Sequence, residues 1–159
     1  MPQRWLHNLI DIITHGKYEG SYWKYHQWKD EPSRRLGKRH RVERHDDFKK
    51  IIKNLEEIGI IPKANNPYDL LMFISSSNFH KSMNVEIIDL IGFGHELIDY
   101  AWSLLTREEK IEWTKQFIDV ILKPDKYFEN NLLEPEDIEL DEFKNLNKYI
   151  KGKKLEELI

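Results

Sequence analysis

The chain has 159 residues, no cysteine, 33% charged side chains and a net charge of -3. That length favours one domain with its own core, and the absence of thiols excludes disulfides and thiolate ligands, leaving histidine, carboxylate and water for any transition-metal site. A pI near 6.2 argues against a protein given over to coating nucleic acid, and no apolar run approaches the roughly 20 residues of a spanning helix.

Arg4, His7 and Asp11 interrupt the apolar N-terminus, which does not make a signal peptide, so a soluble cytoplasmic protein is expected. Pro2 suits a first helical turn, Trp5, Leu6, Leu9, Ile12 and Ile13 follow at helical spacing, and Gly16 gives a stop. Tyr18, Tyr22, Tyr25 and Trp28, at i, i+4, i+7 and i+10, predict one helical stripe within 17–31. Pro32 to Gly37 then makes a loop. Asp46 or Asp47 caps an amphipathic helix of Phe48, Ile51, Ile52, Leu55 and Ile58 that closes at Gly59. Asn66-Pro67 starts another helix, through about Ile74, and SSSNFHKSMN is a second loop.

From Val85 to Leu105, Ile88, Ile91, Ile98 and Trp102 repeat at helical spacing, and His95 falls in their stripe. Thr106 with Glu109 forms a capping box for a helix running to Lys123, before Pro124. Beyond Pro135 come a weaker helix, Leu140 to Ile150, and a charged end. No strand-like alternation persists. The expected fold is all-α, a single domain over 1–159 with five to seven helices and a charged C-terminal segment, 135–159.

Two features carry chemistry. The stretch RRLGKRHRVERHDDF, Arg34 to Phe48, overlaps a region, 17–45, that has nine Lys or Arg against four Asp or Glu, and Tyr18, Tyr22, Trp23, Tyr25 and Trp28 precede the stretch within that region. Stacking rings and cations of this kind can hold a nucleic-acid strand, or the field can serve an anionic small molecule. Equally, the rings can be core and the arginines bridges to acidic helices.

The second feature is seven histidines. His7, mid-helix, and His26, in the aromatic run, read as packing or surface residues, while His80 in a polar loop is left open. His40 and His45 stand close together with Asp46 directly after. His95 and Asp99 are i and i+4 on a helix, with Cβ atoms roughly 6 Å apart, and can close on one divalent ion. A core histidine hydrogen-bonded to Asp99 is the alternative.

HRVERHD, His40 to Asp46, resembles the HR-x3-H-S/D signature of the metal-dependent hydrolases known as LexA-regulated inner-membrane proteins. GFGHELID, Gly92 to Asp99, resembles their later G-x-x-H-x3-D segment, with Leu105-Thr106 after it. Thr14-His15 is similar to their early Thr-His pair, Asp30 is the nearest counterpart of their middle Pro-Asp-x-Asp motif, and His45-Asp46 also resembles the HD pair of phosphohydrolases.

The resemblance implies an α-helical site for a divalent metal (Zn, Mn or Mg), with His40, His45, His95 and Asp99 as ligands or substrate-polarising groups and His15 as a further ligand. The expected activity is hydrolysis of a phosphate ester or another anionic substrate. Asp46 or Glu96 would accept the proton, and Arg39, Arg41 and Arg44 would neutralise the anion. The rival expectation is a non-catalytic helical protein using 17–45 to contact nucleic acid or a protein partner.

Overall fold

A computed structural model describes residues 2–30, 57, 87–129 and 132–159. Of the helices expected between Phe48 and Ile74, only Glu57, helical and exposed, lies among these residues. Among the described residues the regular structure is helical, with no strand. The α-helices are α1 (Arg4–His15), α2 (Tyr22–Asp30), α3 (Ile87–Ser103), α4 (Arg107–Leu122), α5 (Asp141–Lys151) and the single turn α6 (Leu155–Leu158). Short 3-10 turns at Pro124–Tyr127 and Asp137–Glu139 link α4 to α5. The all-α expectation is met.

Helix α1 is the hub, with α2, α3, α4 and α5 all packed on it. Every residue from Trp5 to Ile12 is buried. A helix covered on all sides buries whatever polar residues its sequence carries, so His7, Asn8 and Asp11 enter the interior with Trp5, Leu6, Leu9 and Ile12. Gly16 ends the helix at φ 66, a left-handed turn that suits glycine, and its N–H donates to the Ile12 carbonyl at 2.9 Å.

In α2 the buried face differs from the aromatic stripe. Tyr22, His26 and Lys29 point inward, Tyr25 is half-buried and Trp28 is 50% exposed. The reason is the partner surface. The polar groups of α1 and α3 offer His26 and Lys29 hydrogen bonds and a counter-charge, which a ring could not use.

Ile91, Leu97, Ile98, Ala101 and Trp102 bury one side of α3. Both halves of the predicted capping box are present at α4. The Thr106 hydroxyl accepts the Glu109 N–H at 3.2 Å, and the Glu109 carboxylate accepts the Thr106 N–H at 3.0 Å. Trp113, Phe117, Val120 and Ile121 carry α4 into the core, as Phe143, Leu146 and Ile150 do for α5.

The charged C-terminal segment is tied to the N-terminus. The Trp5 indole N–H donates to the Leu158 carbonyl at 3.0 Å, and the Gln3 amide donates to the Glu157 carbonyl at 2.7 Å. Among the described residues no helix is long and apolar enough to cross a membrane.

Candidate metal centre

Three helices each carry histidine and aspartate at i and i+4: His7 and Asp11 on α1, His26 and Asp30 on α2, His95 and Asp99 on α3. That spacing puts both side chains of a pair on one helix face. Packing points all three faces at one another, and each histidine reaches an aspartate of a different helix. His7 Nε2 lies 3.0 Å from Asp99 Oδ1, His26 Nε2 hydrogen-bonds Asp11 Oδ2, and His95 Nε2 lies 3.6 Å from Asp30 Oδ1. The exchange is cyclic: α1 to α3, α3 to α2, α2 to α1. His95 Nε2 also lies 3.2 Å from its own helix partner, Asp99 Oδ2.

The imidazoles stack nearly parallel. His7 and His95 have ring centroids 4.0 Å apart and inclined at 16°, and His26 and His95 are 4.9 Å apart at 19°. A side-on contact joins the last two as well, since their Nδ1 atoms are 2.7 Å apart. Next to the rings, the Lys29 ammonium stands 3.3 Å from Glu96 Oε1, both side chains almost wholly buried.

Electrostatics set the character of this core. Burial pushes the Asp11 carboxyl up to about 8, against the pull of His15 and His7. Burial likewise lowers His95 to about 3 and takes His26 well below its ordinary value, so both rings are neutral at pH 7. Burial also lowers Lys29, with Glu96 resisting. For Asp99, burial would raise the pKa, but contact with His7 and His95, which both hydrogen-bond the carboxylate, outweighs it and holds Asp99 far below its usual range.

The core thus brings together the neutral imidazoles of His26 and His95, the Asp99 carboxylate and the Lys29–Glu96 pair, nitrogen and oxygen groups of the kind that ligate a divalent cation. His7, His26, His95, Glu96 and Asp99 lie close enough together to hold a metal ion.

Of the residues singled out from the sequence, His95, Glu96 and Asp99 lie in this cluster. His15 ends α1 one turn beyond Asp11, near enough to act on its charge, and belongs to neither ligand group found among the described residues. His40, His45, Asp46, Arg39, Arg41 and Arg44 lie outside the described residues. His7 and His26, read from the sequence as packing or surface residues, are buried, and both lie in the cluster as well. A signal for them existed in the His-x3-Asp spacing of α1 and α2, the same spacing that drew attention to His95 and Asp99. Among the rings of the basic-aromatic region, Tyr22 is buried and Tyr18, Trp23 and Tyr25 pack partly against the core.

The chain matches no protein-family model, no curated protein and no solved structure. The resemblance to the LexA-regulated hydrolases therefore stands on its short motifs, and what the fold adds is a buried His/Glu/Asp cluster able to hold a metal.

Proposed function

We propose that this chain is a metal-dependent hydrolase of phosphate esters or related anions, its divalent ion seated between His7 Nε2, His95 Nε2 and the carboxylates of Asp99 and Asp30. The observation that carries the reading is the spacing of the His7, His95 and Asp99 atoms, at 3.0 and 3.2 Å, with Asp30 standing slightly farther off, 3.6 Å from His95. Neighbouring ligands on an ion with bonds of about 2.1 Å stand roughly 3.0–3.4 Å apart, from octahedral to tetrahedral geometry. The 2.7 Å between His26 and His95 is shorter than that and suits a hydrogen bond. His26 and Asp11 then form the outer shell that orients His95.

A divalent ion at this position would bring the pKa of a water it binds from 15.7 toward about 7. The side chains of Asp30 and Asp99, 21% and 11% exposed, mark the side from which solvent and substrate reach the centre. Glu96 is the proton acceptor in this reading, and Lys29 holds it in place. Support for an anionic substrate comes from the sequence, where Arg39, Arg41 and Arg44 follow α2 closely.

The test is metal analysis of purified protein, paired with a panel of phosphate esters. One divalent ion per chain, lost in His95→Ala and Asp99→Ala together with hydrolysis, is the expected result. A metal-free wild type, or hydrolysis untouched by chelator, would end the proposal.

A further inference from the structure

A cavity of about 420 Å³ lies between α1, α2 and α5, and none of the His–Asp cluster lines it. Its apolar walls are Leu146 and the rings of Trp23 and Tyr149, which stand 6.0 Å apart at 65°. Asn8 lines it from α1. That side chain is 2% exposed, and its Oδ1 accepts no hydrogen bond. A buried carbonyl oxygen with no donor calls for one from a ligand.

Glu142 lines the same cavity from α5. Its Oε1 accepts the Tyr22 N–H at 3.0 Å, which fixes the carboxylate in position. Both rings already attract cations: the Arg4 guanidinium lies 5.2 Å from the Trp23 ring and the Lys153 ammonium 5.1 Å from Tyr149. Since Arg4 and Lys153 already occupy these rings, the preference for an ammonium group over an equally shaped neutral one rests on the acceptor oxygen of Asn8 and the Glu142 carboxylate, the rings serving as apolar walls.

We propose that this cavity binds a small organic ammonium ion. Its apolar chain packs along the wall formed by the touching rings of Trp23 and Tyr149 and by Leu146, and its ammonium group donates to Asn8 Oδ1 and faces the Glu142 carboxylate. Lys24, exposed at the rim, disfavours a second cationic centre on the ligand, so a monoamine fits better than a polyamine.

The site is separate from the metal centre, and the test keeps the two apart. The full chain, with and without chelator, is titrated with n-butylamine, protonated at pH 7, and with n-butanol. The indole N–H signal of Trp23, identified through Trp23→Phe, reports binding by NMR. Butylammonium is expected to bind at least about tenfold more tightly than butanol, with or without chelator. Glu142→Gln, which keeps an oxygen for the Tyr22 N–H, should weaken the amine about tenfold and leave the alcohol unchanged. No shift of Trp23 with butylammonium, equal affinity for the alcohol, or undiminished amine binding in Glu142→Gln would overturn the assignment. The amine–alcohol comparison uses wild-type protein, so it decides the matter even should the variant fold poorly.

Discussion

His26 Nδ1 and His95 Nδ1 face each other at 2.7 Å in the core. A bond between two imidazole nitrogens needs one N–H and one lone pair, so one proton lies between these rings. Without an ion, the consistent arrangement is a relay. The Asp11 carboxyl, raised to about 8, donates to His26 Nε2, His26 Nδ1–H donates to His95 Nδ1, and His95 Nε2–H donates to Asp99. If an ion takes the lone pair of His95 Nε2, as proposed, the relay shifts by one place. His95 then donates from Nδ1, His26 donates from Nε2, and Asp11 is left as the carboxylate.

One proton must therefore leave when an ion binds below pH 8. Calorimetric titration with Zn at pH 7, in two buffers of unequal ionisation heat, should show release of about one proton. Affinity should rise about tenfold per pH unit up to about 8 and level off above it. Asp11→Asn should abolish the release, and equal heats in the two buffers would contradict the relay.

The outer-shell role of His26 and Asp11 separates them in magnitude from the ligands. His26→Gln and Asp11→Asn should weaken metal binding about 10–100-fold with the fold retained, as is typical for groups that orient a ligand. His95→Ala and Asp99→Ala should lose the ion outright. Competition with a chromogenic chelator measures both, and a His26→Gln protein as metal-free as His95→Ala would make His26 a ligand.

Stability of the metal-free protein should peak near pH 6.5. Asp11 has a folded pKa of about 8 against 3.8 unfolded, so its contribution is whole below pH 3.8 and is lost as pH rises to 8. His95, at about 3 against 6.5, and His26, also well below 6.5, act oppositely: their contributions are present above pH 6.5 and fade as pH falls. Of these three groups, two histidines outweigh one aspartate between pH 4 and 6.5, and from 6.5 to 8 only Asp11 still titrates. Urea midpoints in chelator should thus fall on the alkaline side by about 1 kcal/mol per pH unit. Asp11→Asn should flatten that limb, and a wild-type profile flat from 6.5 to 8 would refute the assignment.

Lys29 and Glu96 form a buried ion pair at 3.3 Å. Lys29→Met takes a buried counter-charge from Glu96 and should cost about 3–5 kcal/mol in the metal-free protein. Adding Glu96→Leu should recover most of that loss, because a packed apolar pair avoids the desolvation of two charges. Denaturant melts of the single and double variants measure the difference. A double variant no more stable than Lys29→Met would mean that the pair contributes something other than charge balance.

Periodicity and end signals in the sequence were enough to place the longer helices among the described residues. The apolar spacing of Trp5 to Ile13 with Gly16, the Thr106–Glu109 box and the stop before Pro124 specify α1 and α4 closely, because caps and turn residues act within one turn of chain. The i, i+4 spacing of His95 and Asp99 was equally local, so a shared face could be read directly. The roles of His7, His26 and Lys29 could not be. Each sits on a helix whose burial depends on what covers it, and a histidine pointing at solvent has the same sequence signature as one pointing at a partner.

Composition alone limited any transition-metal site to nitrogen and oxygen ligands, since the chain has no thiol, and helical spacing alone placed each aspartate one turn after its histidine. Only the packing of α2 and α3 around a fully buried α1 decided that the three pairs exchange partners. Pairing between helices depends on crossing geometry and on which faces meet, and those are properties of the folded core that no local window of residues contains.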